Sequence, residues 1–144
     1  MFYHVLIPVD LALPQQLTPL IETARQLTGN SPHADFNFLY VDDSQVHSAG
    51  YPQRDSGQTQ SRRRDSKDRL VALVQNLLPE ELYRTCTIHS GTVHESILEE
   101  AKRFKTDVIV MMAKKPGLSS YFVGSNAERV VRHAKCSVFV LREE

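Results

Sequence analysis

The chain has no tryptophan, two cysteines and six glycines among its 144 residues. Cys86 and Cys136 lie far apart and form no CxxC pair. That points to buried thiols in a reducing compartment more than to a disulfide framework or a zinc site. Charge of one sign is also lacking, with 17 Lys plus Arg against 17 Asp plus Glu. Bulk electrostatics therefore gives no argument for a nucleic-acid or anionic-membrane partner, and any anion site must be local. No apolar run reaches the length of a membrane span; the longest, Val108 to Ala113, is strand-sized. The amino terminus lacks the basic segment, apolar stretch and small-residue cleavage site of a signal peptide, so a cytoplasmic location is expected. The six histidines show no metal spacing.

What is present is ordinary globular composition, 41% hydrophobic and 24% charged. The length suits one domain over 1–144, large enough to bury a core without staples.

Apolar periodicity alternates between two kinds of segment. His4 to Val9 reads as a buried strand. A helix follows with Leu17, Leu20, Ile21, Ala24 and Leu27 on one face; Pro14 and Pro19 suit its approach and first turn, and Gly29 its stop. Phe36 to Val41 is a second strand. Asp42 to Ser61, rich in Ser, Gln, Gly, Pro and Asp, reads as a long mobile loop. A charged helix is expected from about Arg62, with Leu70, Val71, Leu73, Val74, Leu77 and Leu78 inward and Pro79 beyond its end. Thr85 to His89 is a third strand. Thr92 and Glu95 are spaced as a capping box for a third helix, whose apolar face is Val93, Ile97, Leu98, Ala101 and Phe104. Val108 to Met112 is a fourth strand, apolar on both faces as parallel strands are. After a loop from Ala113 to about Gly124, Ser125 and Glu128 are spaced as a second capping box, and Val130, Val131 and Ala134 face the sheet. Cys136 to Leu141 is the last strand. The alternation implies an α/β fold, a doubly wound parallel sheet with helices on both faces and right-handed crossovers.

Ligands bind such sheets beyond the carboxyl ends of the strands, where successive connections leave in opposite directions. Three features meet that requirement. Asp10 follows the first strand after Pro8 and Val9, Val41 ends the second, and Lys114, Lys115, Gly124, Ser125 and Asn126 lie in the loop and helix start after the fourth. Free N–H groups, a hydroxyl and the positive helix end make the last an anion site, and a glycine lets a phosphate approach the backbone. Each feature also has a plain structural account. Ser125 with Glu128 is explained as a capping box, Asp10 as a cap on the first helix, and the lysines as solvated loop charges.

These residues resemble the universal stress protein family over nearly the whole chain. The resemblance is carried by His4 to Asp10, Gly91 to Ala101, Asp107 to Met111 and above all the closing run Gly124 to Val138. It implies a five-stranded parallel sheet in order 3-2-1-4-5, usually a homodimer, and in many members bound ATP. In ATP-binding members the Asp matching Asp10 and the backbone at Val41 hold the adenine. The strand-four end, here Met112 and Ala113, meets the ribose, and Gly124, Ser125 and Asn126 meet the phosphates. The family's nucleotide motif, G-x2-G-x9-G-S/T, is altered here. Met112 replaces its first glycine, the second falls near Lys115, and the loop to Gly124 is one residue shorter. The shortened loop with a proline and Tyr121 looks like the F/G-like branch, whose members are associated with ATP binding. Loss of the first glycine bears on close approach of the ribose; the two lysines would compensate by neutralising phosphate charge, or be incidental. The expected ligand is therefore ATP, with Mg²⁺ as an optional companion. The implied strand order puts the cysteine-bearing strands on opposite edges, about 19 Å apart, which argues against an intrachain disulfide.

The last strand is apolar and ends as an uncovered edge, which favours pairing with its own copy through Ser137, Val138, Phe139, Val140 and Leu141. The alternative is that Arg142, Glu143 and Glu144 blunt the edge.

Three functions compete. The first is a dimeric ATP-binding stress or regulatory protein, in which the nucleotide is a ligand; slow hydrolysis is conceivable, but no residue is assigned as general base. The second is a nucleotide-free interaction module on the same fold, favoured by Met112. The third, a phosphoryl-accepting receiver domain, lacks the clustered acids, the acceptor Asp after the third strand and the Lys after the fifth. Arg62, Arg63 and Arg64 are followed by Asp65 and Asp68 without neighbouring aromatics, so they read as a solvated helix start and not a nucleic-acid surface.

Overall fold

The computed structural model describes residues 1–44, 56–113 and 124–143. Five parallel strands form one sheet: β1 (His4–Pro8), β2 (Asp35–Asp42), β3 (Tyr83–Ser90), β4 (Val108–Met112) and β5 (Ser137–Leu141). Their order is β3-β2-β1-β4-β5. Four helices connect them: α1 (Leu17–Leu27), preceded by a 3₁₀ turn at Pro14–Gln16, then α2 (Ser56–Leu77), α3 (Val93–Arg103) and α4 (Ser125–His133).

The pleat sorts the core into two layers. Val5 and Ile7 of β1, Phe36 and Phe38 of β2, and Val108 and Val110 of β4 face α1 and α2, meeting Leu20, Ile21, Leu70 and Val74. Leu6, Leu39 and Ile109 face α3 and α4, meeting Ile97, Ala127 and Val130. Val5, Leu6 and Ile7 are all fully buried, as a central parallel strand requires.

Several helix details differ from expectation. α2 starts at Ser56, not near Arg62, so part of the expected loop is helical. Its first turns carry no apolar stripe, but Gln and Arg are good helix formers, and a helix continues past the layer it packs on. The rest of the expected 42–61 loop overlaps residues 45–55, outside the described residues. Leu70, Val74 and Leu78 are buried, whereas Val71 and Leu77 are exposed, as is Val131 of α4. In each helix an i, i+4 stripe suffices to cover one sheet face, and Ala127 takes the inward place expected of Val131. Val71→Lys is therefore expected to shift unfolding free energy by under about 0.5 kcal/mol, read by urea denaturation; a loss near that of a core change would restore Val71 to the core.

Neither capping box forms. Thr92 is the N-cap of α3, but its side chain makes no cap hydrogen bond. The N-cap of α4 is Gly124, so Ser125 already has helical geometry and Glu128 is one position too far along.

Cys86 lies in β3 and Cys136 just before β5, on opposite sides of the sheet, and both thiols are free. Burial pushes both thiol pKa values up, at Cys86 against the opposing pull of Arg84 and Lys67. No helix among the described residues is long and apolar enough to cross a membrane.

Candidate functional site

The sheet changes winding direction between β1 and β4. The chain leaves β1 toward α1 on one face and β4 toward α4 on the other. That is where an open α/β sheet forms a crevice.

Backbone parity explains why the crevice opens there. The Tyr3 C=O accepts from Asp35 N–H at 2.7 Å and Val9 N–H donates to Leu39 C=O at 2.8 Å, so odd residues of β1 face β2. The His4 C=O accepts from Asp107 N–H at 2.9 Å, so even residues face β4. Pro8 is even and has no N–H, so it cannot carry the β4 ladder further. The register between these strands accordingly consists of Val5 with Val108 and Leu6 with Ile109.

Parity also acts on β2. Leu39 C=O points to β1, and Asp42 C=O points to β3, where it accepts from Gly91 N–H at 3.0 Å. Val41 therefore turns its N–H and C=O toward the space beyond Pro8, past the last β1 bond. Such a donor–acceptor pair is unspent by the sheet and suits the edge of a planar heterocycle.

Asp10 does not cap α1. Its Oδ1 accepts from Ala12 N–H at 2.9 Å, and its C=O accepts from Leu13 N–H at 3.0 Å. This is an Asx-type turn, which carries the chain round to the 3₁₀ turn. The other carboxylate oxygen has no partner among the described residues.

The third wall is the start of α4. Ala113 N–H donates to Leu141 C=O at 2.8 Å, and Gly124 N–H donates to Ala113 C=O at 2.7 Å, pinning the helix start to the end of β4. The N–H groups of Ser125, Asn126 and Ala127 occupy the first turn, where no intrahelical acceptor exists. Gly124 has φ −58°, which any residue can adopt, so backbone conformation does not require glycine here.

These walls enclose one cavity of about 400 Å³, within the range of small-molecule sites. It brings together Pro8, Val9, Asp10, Val41, Met112, Ala113, Gly124, Ser125 and Asn126. Lys114 and Lys115 lie outside the described residues. Sequence reasoning missed Gln16, Tyr40, Asp43, Val93 and Ile97, which also line the cavity. Tyr40 could have been found as the neighbour of Val41 and Asp43 as the residue just after β2. Val93 and Ile97 are core positions by periodicity, and only the packing angle of α3 turns them to the cavity.

Electrostatics at the rim is mostly acidic among the described residues. Burial raises the Tyr40 phenol, and Asp42, Asp10 and Asp43 raise it further, keeping it a donor. Burial alone would raise the Asp42 carboxyl, but hydrogen bonds from Ser44 and the Arg62 guanidinium outweigh it and hold the group low. Arg62 is thus not simply solvated: its Nη2 sits 2.8 Å from Asp42 Oδ2. Arg63 donates to Ile88 C=O at 3.0 Å and Arg69 to Leu11 C=O at 3.0 Å. Three arginines of α2 therefore brace the ends of β2 and β3 and the loop after β1.

The fold and crevice define a doubly wound α/β domain with an uncapped helix start at its switch point. The sequence model described as "Universal stress protein family" matches residues 1–142, and the chain belongs to that family. Universal stress protein G of Shigella flexneri is 30% identical over 78 residues, 54% of this chain and 55% of that protein. The match thus spans about half the length of such curated relatives. Among solved structures, the hypothetical protein MJ0577 superposes with a TM-score of 0.80 at 18% identity, covering 100% of this chain and 98% of that one. The universal stress protein UspA from Lactobacillus plantarum gives 0.72 at 24%, covering 98% of each. At these identities the likeness shows the fold. A universal stress protein in complex with cAMP gives 0.59 at 14%, covering 98% and 97%. One from Archaeoglobus fulgidus in complex with dAMP gives 0.60 at 11%, covering 96% and 97%.

Proposed function

We propose that the chain binds ATP in the cavity between β1 and β4 and acts as a dimeric, cytoplasmic stress-response regulator. One observation carries the reading: the unspent backbone pair of Val41 and the open first turn of α4 face a single cavity that also holds Asp10. An adenine edge would bond to Val41, with Asp10 beside it and Val93, Ile97 and Met111 supplying an apolar wall. The phosphates would reach the N–H groups of Ser125 and Asn126. Structural neighbours in complex with cAMP and dAMP support a nucleotide of this kind. The nucleotide acts as a ligand that orders the surrounding loops, and no residue is assigned a hydrolytic role.

Met112 favours a second reading, a nucleotide-free interaction module, because its side chain occupies cavity wall where the family motif has glycine. The two part in one experiment: mass spectrometry of nucleotide released from gently purified, denatured protein, with a titration of ATP and Mg²⁺. Near-stoichiometric ATP is expected. No copurified nucleotide and no binding at millimolar ATP would leave the interaction module.

The dimer proposal rests on β5. Leu141 C=O bonds to Ala113, so by alternation Val138 and Val140 turn their N–H groups to the open edge. Phe139 of the same strand is exposed. Val138→Pro removes an outward donor without touching the β4 ladder, so a fall to monomer mass by light scattering is expected. An unchanged dimer mass would count against pairing through Ser137, Val138, Phe139, Val140 and Leu141.

A further inference from the structure

A second cavity of about 400 Å³ lies at the opposite end of the sheet, where α3 and α4 end and β4 and β5 begin. Lys102, Lys105, His133 and Lys135 line it, and among the described residues no carboxylate does. In a chain of zero net charge, this is a local concentration of one sign. Nearby opposite charge is engaged elsewhere. Asp107 accepts from the N–H groups of Tyr3 at 2.8 Å and His4 at 3.1 Å. Glu100 is bound by Arg103, outside the cavity.

The usual account of lysines at a helix end is that they offset exposed carbonyls. At α3 that account is weakened, because the carbonyls of Glu100, Ala101 and Lys102 are already bonded. Phe104 N–H donates to Glu100 C=O at 2.9 Å, Lys105 N–H to Lys102 C=O at 3.3 Å and Thr106 N–H to Ala101 C=O at 2.9 Å. This Schellman turn needs a left-handed residue. α1 ends the same way with Gly29 at φ +63°, but α3 uses Lys105 at φ +55°. A lysine is therefore held at a position glycine would fill with less strain. Thr106, about nine-tenths buried, also lines the cavity, and its hydroxyl has no partner among the described residues. A buried hydroxyl without a partner is costly.

We propose that this cavity is a second ligand site, which takes a small multiply charged phosphate-bearing anion such as a phosphomonoester or pyrophosphate. Ammonium groups act as point charges with freely turning donors and suit a tetrahedral phosphate. A planar carboxylate would call for a guanidinium fork, and no arginine among the described residues lines the cavity.

The test is a ¹H–¹⁵N titration of the whole chain with sodium pyrophosphate at constant ionic strength, with sodium chloride as control. Saturable shifts are expected at the amides of Lys105, Thr106 and Cys136. Lys105→Gln combined with Lys135→Gln should weaken them by at least about tenfold, as loss of charge-assisted bonds does. Thr106→Val should also weaken binding, while removing the orphan hydroxyl leaves the fold at least as stable. Shifts that chloride reproduces, shifts confined to Ser125, Asn126 and Ala127, or unaltered affinity in the double variant would each overturn the proposal.

Discussion

Asn37→Ala is expected to cost about 2–4 kcal/mol of unfolding free energy, measured by urea denaturation at neutral pH. Asn37 and Glu100 are both fully buried, under α3 on the face of β2. Asn37 Nδ2 donates to Glu100 Oε2, and Thr87 Oγ1 donates to Asn37 Oδ1 at 2.8 Å. Arg103 Nε reaches Glu100 Oε1 at 2.8 Å, and His89 Nε2 lies 3.2 Å from the same oxygen. Removing the amide leaves a buried carboxylate short of a donor. Arg103, whose side chain is 61% exposed, is screened by water and cannot make up the loss. Replacing Asn37 with Leu and Glu100 with Met together should cost less than the single change, because no buried charge remains. A single change as mild as a surface substitution would mean that α3 does not depend on this network.

The same network sets a pH dependence. Burial by itself would raise the Glu100 carboxyl, but the hydrogen bonds and charge of Arg103, with Asn37 and His89, hold it below the ordinary value of 4.5. A folded-state pKa below the unfolded one means that the unfolded chain binds more protons in the interval between them. The resulting stability is present above the ordinary glutamate range and is lost as pH falls through the folded value. Asp42 contributes with the same sign. In Asn37→Ala the gap narrows, so the acid limb of a stability-against-pH curve should become shallower. An acid limb as steep as in the parent chain would show that Asn37 does not hold the Glu100 value down.

Ser125→Asp should weaken ATP by about 10- to 100-fold while leaving the fold as stable as before or slightly more so. Ser125 is the first helical residue of α4, behind Gly124 as N-cap. An aspartate in a first turn interacts favourably with the helix dipole, by about 0.3–1 kcal/mol. Toward a phosphate, the same carboxylate is a like charge a few ångströms away, costing about 1–4 kcal/mol between aqueous and partly buried surroundings. Stability and affinity thus move in opposite directions, which a merely misfolded variant would not show. Calorimetric titration with ATP and Mg²⁺ reads the second and thermal unfolding the first. Unchanged affinity would place the phosphates away from α4.

Most of the fold was legible because its signals are local. The buried runs of β1 and β4 read as parallel strands, and the stripe through Leu17, Leu20, Ile21 and Ala24 read as α1. The walls of the cavity were legible for a similar reason, since they fall where strands end, at Asp10 and Val41, and where a helix starts, at Gly124. What escaped depends on three-dimensional packing. Val71, Leu77 and Val131 are apolar yet face outward, because a helix on a sheet covers only one stripe. The first turns of α2 carry no periodicity to read. Capping chemistry misled at Ser125, since the sequence pattern does not reveal that Gly124 takes the cap through its bond to Ala113. Asn37 and Glu100 are 63 positions apart, and nothing in either stretch announces the other.

The short ladder beside Pro8 has a mechanical side. β3, β2 and β1 make one leaf of the sheet and β4 with β5 the other, and the stitching between the leaves stops at Leu6 and Ile109. A proline at the end of that stitching leaves the carboxyl ends of β1 and β4 unlaced, while the core layers on both faces still clamp the two leaves together. A molecule lodged beyond the last stitch would act as a rivet. Such a molecule would rest against both leaves at once, with Pro8 and Val41 on the larger and Met112 and Ala113 on the smaller.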